Sequence, residues 1–275
     1  MDLKEVERVV GSIQSELFKN SNSFSVGMLK SHFKGAGLQF KEHQIYNPGD
    51  DVRFIDWKLS AKTNTTFVKT FEEERNVEIH VMLDLSDSML IGYKNVSKLQ
   101  AAIEIICLLY LLAEKSKDKV SVILVEKDPI TLPLSSGHAG IVHLISKLQK
   151  LDVLNSNGKV NILRRFGVCN EKKKMGLLKS MVARKKEVII LSDLVAYEDK
   201  ELLNKLLYHP TLHCFVIQSP IDVMSKMPFA IYTKEREKSK VMRAFKRSEM
   251  NELKGRYRSL NVKDRYLESF VREML

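Results

Sequence analysis

Apolar and polar positions follow two rhythms along the chain. Over residues 2–19, Leu3, Val6, Val10, Ile13 and Leu17 recur every three or four positions, which predicts an amphipathic helix. Residues 20–37 are rich in Ser, Asn and Gly and read as a loop. From 40 to 75 the pattern becomes short extended pieces around the turn-forming run Asn47-Pro48-Gly49-Asp50, with a β-prone stretch over 65–71. From residue 77 onward, short apolar runs alternate with longer helical patterns. Strands are predicted over 77–83, 120–125, 187–191 and 212–218. Helices are predicted over 97–114, 141–151, 174–183, 201–207, 248–258 and 263–274.

This alternation implies an α/β fold: a doubly wound, mostly parallel sheet covered by helices on both faces. The run Ser97-Lys98-Leu99-Gln100 has the spacing of a capping box, and the helix it opens carries Leu99, Ile103, Ile106, Leu109 and Leu112 around its axis, so it is expected to be deeply buried. The predicted organisation is an amino-terminal helix and loop (1–37), a small β-rich segment (38–76) and a large α/β unit (77–275).

Composition narrows the class. The chain has 275 residues, 44% of them hydrophobic and 29% charged, as in globular proteins. Its three cysteines, Cys107, Cys169 and Cys214, are far apart and form no zinc-type pair, which points to reduced thiols. The most apolar stretch, 101–113, contains Glu104 and is too short to span a bilayer. With no membrane insertion expected and no secretory leader evident, the sequence reading places the chain in the cytoplasm. A formal net charge of +11 favours acidic partners.

The candidate chemistry sits where two predicted strands end. Asp84-Leu85-Ser86-Asp87-Ser88 is an Asp-x-Ser-x-Ser run directly after the first apolar strand, and Asp193 follows a later one. In sheets of this kind ligands bind at the carboxyl ends of strands, where strand order reverses. Hydroxyls at alternate positions of a turning loop offer oxygen ligands to Mg2+ or Mn2+, and a nearby carboxylate holds the metal's water. Because neutral hydroxyls leave such a cation under-neutralised, it welcomes a carboxylate from outside. The same residue types also serve as caps and turn formers.

A longer signature extends this reading. Tyr46-Asn47-Pro48-Gly49-Asp50-Asp51-Val52-Arg53-Phe54-Ile55-Asp56-Trp57-Lys58-Leu59-Ser60-Ala61, followed by Val68-Lys69-Thr70-Phe71-Glu72-Glu73-Glu74-Arg75, closely resembles the signature of domain-of-unknown-function family 58. The resemblance runs over about residues 35–275. It implies a von Willebrand factor A-type domain with a metal-ion-dependent adhesion site, association with MoxR-type AAA+ ATPases, and a non-catalytic adaptor role in a chaperone or assembly system that binds an acidic client. By the same resemblance Ser86 and Ser88 would ligand the metal directly, with Asp84 and Asp193 acting mostly through water. A complete adhesion site adds a threonine; the corresponding stretch here, Leu154-Asn155-Ser156-Asn157-Gly158, offers Ser156 instead, which implies weak metal binding. Arg53, Asp56 and Trp57 read either as a binding surface or, preferably, as a buried arginine–aspartate pair and an aromatic lock between the β segment and the α/β core.

Two rival functions remain at this level. The basic charge admits a nucleic-acid-binding protein, although no helix-turn-helix or aromatic-basic platform stands out. A strand ending in aspartate also opens one class of metal-dependent phosphohydrolase, but that chemistry needs a second aspartate two residues on, where this chain has Ser86.

Overall fold

The computed structural model describes residues 37–47, 50–74, 77–223, 231–235, 238–242 and 255–274. The helix expected over 2–19 and nearly all of the following loop lie outside these residues, as does most of the helix expected over 248–258.

The first described unit is a hairpin with a helical insertion. Strand β1 (Gly37–Ile45) pairs antiparallel with β2 (Phe67–Glu74), with a register shift between Phe40 and Glu42. The Asp50 amide donates to Asn47 O at 3.0 Å, closing the expected turn. A short helix that periodicity did not reveal, α1 (Trp57–Thr63), is started by the Asp56 carboxylate, which accepts from Leu59 N at 3.0 Å. Seven residues make too few turns to show an apolar stripe.

The main sheet contains β3 (Glu78–Asp84), β6 (Lys119–Val125), β7 (Ile130–Thr131), β8 (Glu187–Ser192), β9 (Leu212–Gln218) and β12 (Tyr257–Asn261). Their spatial order is β12-β9-β8-β3-β6-β7, all parallel except β7, which runs antiparallel at one edge. This is the doubly wound α/β architecture expected from the alternation. Between β3 and β6 lie a small hairpin, β4 (Gly92–Tyr93) and β5 (Val96–Ser97), and helix α2 (Lys98–Ser116). Helices α3 (Gly137–Lys150), α4 (Glu171–Ala183), α5 (Lys200–Leu207) and, after β9, the single turn α6 (Pro220–Val223) follow. The hairpin β10 (Ile231–Glu235) with β11 (Lys238–Met242) and the last helix α7 (Tyr266–Met274) complete the described elements.

The period of two in each strand divides the core in half. Ile79, Val81 and Leu83 of β3 face one layer together with Ile189 and Leu191 of β8 and the apolar side chains of α2, α3 and α7. Met82, Ile123, Val188 and Ile190 face the other, against Leu178 of α4 and Leu203 and Leu207 of α5. Each such fully buried aliphatic side chain contributes roughly 1.5–3 kcal/mol.

Two expectations are corrected. Residues 257–258, read as the end of a helix, belong to β12, because parallel pairing of Tyr257–Asn261 with β9 satisfies the backbone that the isolated segment leaves open. Helix α3 begins at Gly137, four residues earlier than its apolar stripe predicts. Gly140 in that first turn lies against the Tyr110 ring, so close packing of two helices, and not periodicity, places it there.

Candidate functional site

Strand order reverses at β3: the chain leaves it toward β6 and β7, then crosses to β8, β9 and β12. The crevice between the carboxyl ends of β3 and β8 is therefore the topological switch point. Asp84 closes β3, and Ser192 closes β8 with Asp193 next in the chain; Leu83 and Leu191 are paired in register just before them.

The Asp-x-Ser-x-Ser run leaves the strand into a 3-10 turn over Asp87–Leu90. Ser86 occupies the N-cap position, yet its side chain makes no capping bond. Instead its Oγ lies 3.1 Å from Ser88 Oγ. Adjacent ligands of an octahedral Mg2+ at 2.0–2.1 Å stand about 3 Å apart, so this hydroxyl pair matches one edge of such a coordination shell. Asp87, between them, faces elsewhere: it accepts from the Phe166 amide at 2.9 Å and pairs with Arg165 at 3.6 Å.

The carboxylates behind the hydroxyls are buried. Asp84 accepts from Ser192 Oγ at 2.7 Å, and burial, reinforced by the charge of Asp193, pushes its pKa up to about 6. Bonds from Ser192 and Ser86 and the charge of Lys174 act in the opposite direction. Asp193 accepts from Val195 N at 3.1 Å, and the intervening Leu194 adopts φ 60°, a left-handed conformation that is strained for a leucine.

Four participants were not singled out by the sequence reading. The first is Lys98, fully buried at the start of α2, whose Nζ donates to Asp193 Oδ2 at 2.7 Å and to Asp222 Oδ2 at 3.1 Å. Asp222 also accepts from Ser219 N at 2.7 Å and Ser219 Oγ at 2.8 Å. Ser192 is the third. Lys174, the fourth, is also buried: it pairs with Glu171 at 2.9 Å, donates to Ala196 O, and lies 3.9 Å from the centre of the Tyr197 ring. A lysine at the head of an apolar helix and a serine preceding a strand-end aspartate were the available signals; neither names a partner.

The rim has an electrostatic balance that a cation can use. Asp84, Asp193 and Asp222 carry three negative charges when ionised, Lys98 returns one positive, the Lys174–Glu171 pair cancels, and Lys200, which donates to Leu194 O at 2.9 Å, adds a further positive charge, leaving the rim negative overall. Ser86, Ser88 and Asp84 thus fit a small divalent ion in donor type, spacing and charge. Asp193 stands beside them with one oxygen turned to Lys98.

Among the described residues, the remaining sequence candidates make no hydrogen bond or ion pair with this cluster, and Arg53 and Asp56 are held by other partners. Ser156 is exposed on a turn organised by Asn155, which accepts from the amides of Asn157 and Lys159; among the described residues it makes no hydrogen bond to Asp84, Ser86 or Ser88. The buried Arg53–Asp56 pair is corrected: Arg53 is exposed and pairs with Asp51 at 2.6 Å, holding that carboxyl at about 2. Asp56 caps α1 and meets His43 at 3.0 Å and Lys69 at 3.3 Å. Trp57 is 70% exposed and locks nothing into the core. The sequence run Arg53-Phe54-Ile55-Asp56-Trp57 is a charged turn followed by a helix start, so adjacent side chains point away from one another.

Fold and site together define the class: a doubly wound α/β domain with a hydroxyl-and-carboxylate cluster at its switch point. The model of the family described as "Protein of unknown function DUF58" matches residues 42–222, and the chain belongs to that family. Uncharacterized proteins of Mycobacterium tuberculosis and Mycobacterium bovis are 36% identical to it over 58 residues, 21% of this chain; the chain spans only 18% of the length of these curated relatives. Similar solved structures include the conserved hypothetical protein BatB from Bacteroides thetaiotaomicron, 20% identical, with a TM-score of 0.44 over 72% of this chain and 97% of that one. An aerotolerance-related membrane protein from Bacteroides fragilis is 18% identical, with a TM-score of 0.44 over 72% and 98%. The SpRpn10 VWA domain is 9% identical, with a TM-score of 0.39 over 72% and 94%.

The cytoplasmic placement expected from the sequence is corrected by these comparisons, since the Bacteroides fragilis neighbour is described as a membrane protein. No helix among the described residues is long and apolar enough to cross a membrane, and that fact assigns no compartment.

Proposed function

We propose that this chain is a non-catalytic interaction adaptor that grips an acidic residue of a partner protein at the β3–β8 switch point. Ser86 and Ser88 would hold a magnesium or manganese ion directly, with Asp84 and Asp193 positioning its water. A bound divalent ion would supply a Lewis-acidic coordination position open to an outside carboxylate. The observation that carries this reading is the hydroxyl pair: Ser86 sits at a cap position without capping, and lies 3.1 Å from Ser88 beside a buried carboxylate. The lone fold-level support is the von Willebrand factor A-type arrangement, which suits protein interaction. The partners that fit the family are a MoxR-type AAA+ ATPase and an acidic client, in a chaperone or assembly role.

Phosphoryl chemistry finds no second acid here. Position 86 is a serine, and Asp87 is occupied by Phe166 N and Arg165. Generic phosphoesters with magnesium or manganese are therefore expected to show no turnover above buffer.

The test is capture of a purified MoxR-type ATPase from the same organism, with magnesium and with EDTA, by wild type and by the Ser86→Ala/Ser88→Ala variant. Capture that requires magnesium and both hydroxyls is the expected result. Capture indifferent to both chelator and variant overturns metal bridging.

A further inference from the structure

A groove of about 420 Å³ lies between the β4–β5 hairpin and the loop that carries Asn155–Ile162. It begins at Leu90, two residues beyond Ser88. Leu90, Val96, Val160 and Ile162 give it apolar patches between the polar side chains of Asn95, Ser97, Gln100 and Asn155, while exposed Lys94 and Lys159 stand along it from opposite elements. None of the described residues that line it is acidic. Its two walls are joined: Val160 N donates to Gln100 Oε1 at 3.3 Å, and Gln100 N is bonded in turn to the Ser97 cap. Ile162 remains 66% exposed despite this anchoring.

We infer that this groove takes an extended acidic segment of the partner chain, whose glutamates or aspartates meet Lys94 and Lys159 and whose intervening apolar side chains lie on Val96, Val160 and Ile162. This deepens the preceding proposal, on which it rests: the acid held at Ser86 and Ser88 and the groove segment belong to one stretch of polypeptide. Charge complementarity chooses the occupant. Two lysines without a facing carboxylate, in a protein of net charge +11, favour an acidic chain over a neutral one. The apolar patches interleaved with polar groups favour a peptide that offers both kinds of side chain over a uniformly charged phosphate backbone, and alternation of acid and apolar residues matches an extended strand, whose neighbours point to opposite sides.

The experiment is fluorescence anisotropy of the full chain with a fluorescein-labelled peptide alternating glutamate and leucine, in magnesium and in EDTA. The same peptide with glutamine for every glutamate is the neutral comparison. The Lys94→Glu/Lys159→Glu variant is compared with Lys172→Glu/Lys173→Glu, an equal charge change on the exposed side of α4; circular dichroism checks that both fold. The groove variant is expected to weaken binding about tenfold and the α4 variant less than about twofold. Ser86→Ala/Ser88→Ala should remove only the magnesium-dependent part. Equal weakening by both lysine variants, unchanged binding in the groove variant, no saturable binding, or equal affinity for the glutamine peptide overturns the inference. Tighter binding of a short DNA duplex with the same dependence on Lys94 and Lys159 also overturns it, in favour of nucleic acid. Loss of the magnesium dependence alone, with groove binding intact, counts against metal bridging and leaves the groove standing.

Discussion

Lys98 and Asp84 show how much a single side chain can decide at this rim. The Lys98 ammonium is fully buried between the carboxylates of Asp193 and Asp222. Lys98→Met would keep the stem's packing but strand two carboxylates without their cation, at a cost of roughly 3–5 kcal/mol. Urea unfolding would show this as a lower midpoint at unchanged slope. Asp84 works in the other direction. Its carboxyl is raised to about 6 in the folded state, from an ordinary value of 3.8. Between about pH 4 and 6 the folded protein therefore binds more protons than the unfolded chain, and stability falls as pH rises through that window. In EDTA, Asp84→Asn is expected to stabilise the fold at pH 7, by on the order of 2 kcal/mol, with the gain vanishing below about pH 4. Thermal melts from pH 4 to 7 check the sign; a variant less stable than wild type at pH 7 would contradict it. Of these two residues only Asp84 was visible as a candidate in the sequence. Its position after an apolar run is local information, whereas the partner of Lys98 lies 95 residues away.

At the scale of elements, apolar period and capping chemistry account for most of what formed. Helix α2 starts where Ser97 accepts from Gln100 N at 3.0 Å, as the Ser97–Gln100 spacing predicts. The reciprocal half of that box is absent, because the Gln100 side chain bonds Glu104 at 2.9 Å and accepts from Val160 N. Elements shaped by contact escaped the pattern: α1 is only about two capped turns, β12 exists through pairing with β9, and the first turn of α3 is placed by packing. That packing makes a prediction. A Cβ at Gly140 would collide with the Tyr110 ring of α2, a residue buried in the core. Gly140→Ala should cost about 1–3 kcal/mol by overpacking, even though alanine favours helices intrinsically. Chemical denaturation measures it; a stabilised variant would show that the two helices separate easily.

Across the whole molecule, the signature block and the switch-point cluster have different characters. The cluster has buried, densely bonded carboxylates behind two partly exposed hydroxyls. The block presents Val52 and Trp57 at 58% and 70% exposure, and Ile45 just before it is 60% exposed. Trp57 is the chain's only tryptophan, so its fluorescence reports this block alone. Acrylamide is expected to quench it nearly as well as a free indole, and efficient shielding would indicate that the aromatic is covered. The signature was legible as a motif, but its burial was not: Arg53 and Asp56 are three residues apart and capable of pairing, yet each found a nearer or better-placed partner in Asp51, His43 and Lys69.

By itself, the order of residues determined the alternation of strands and helices and put Asp84 and Asp193 at strand ends, because periods of two and 3.6 are written within a few neighbouring positions. Tertiary structure alone decided that Ser192 would bond Asp84 across 108 residues, and that Lys98 would join Asp193 and Asp222 across 95 and 124. Those bonds depend on which strands lie side by side at the reversal of the sheet. Such adjacency arises from burying both sheet faces at once and leaves no mark on any short stretch of the chain.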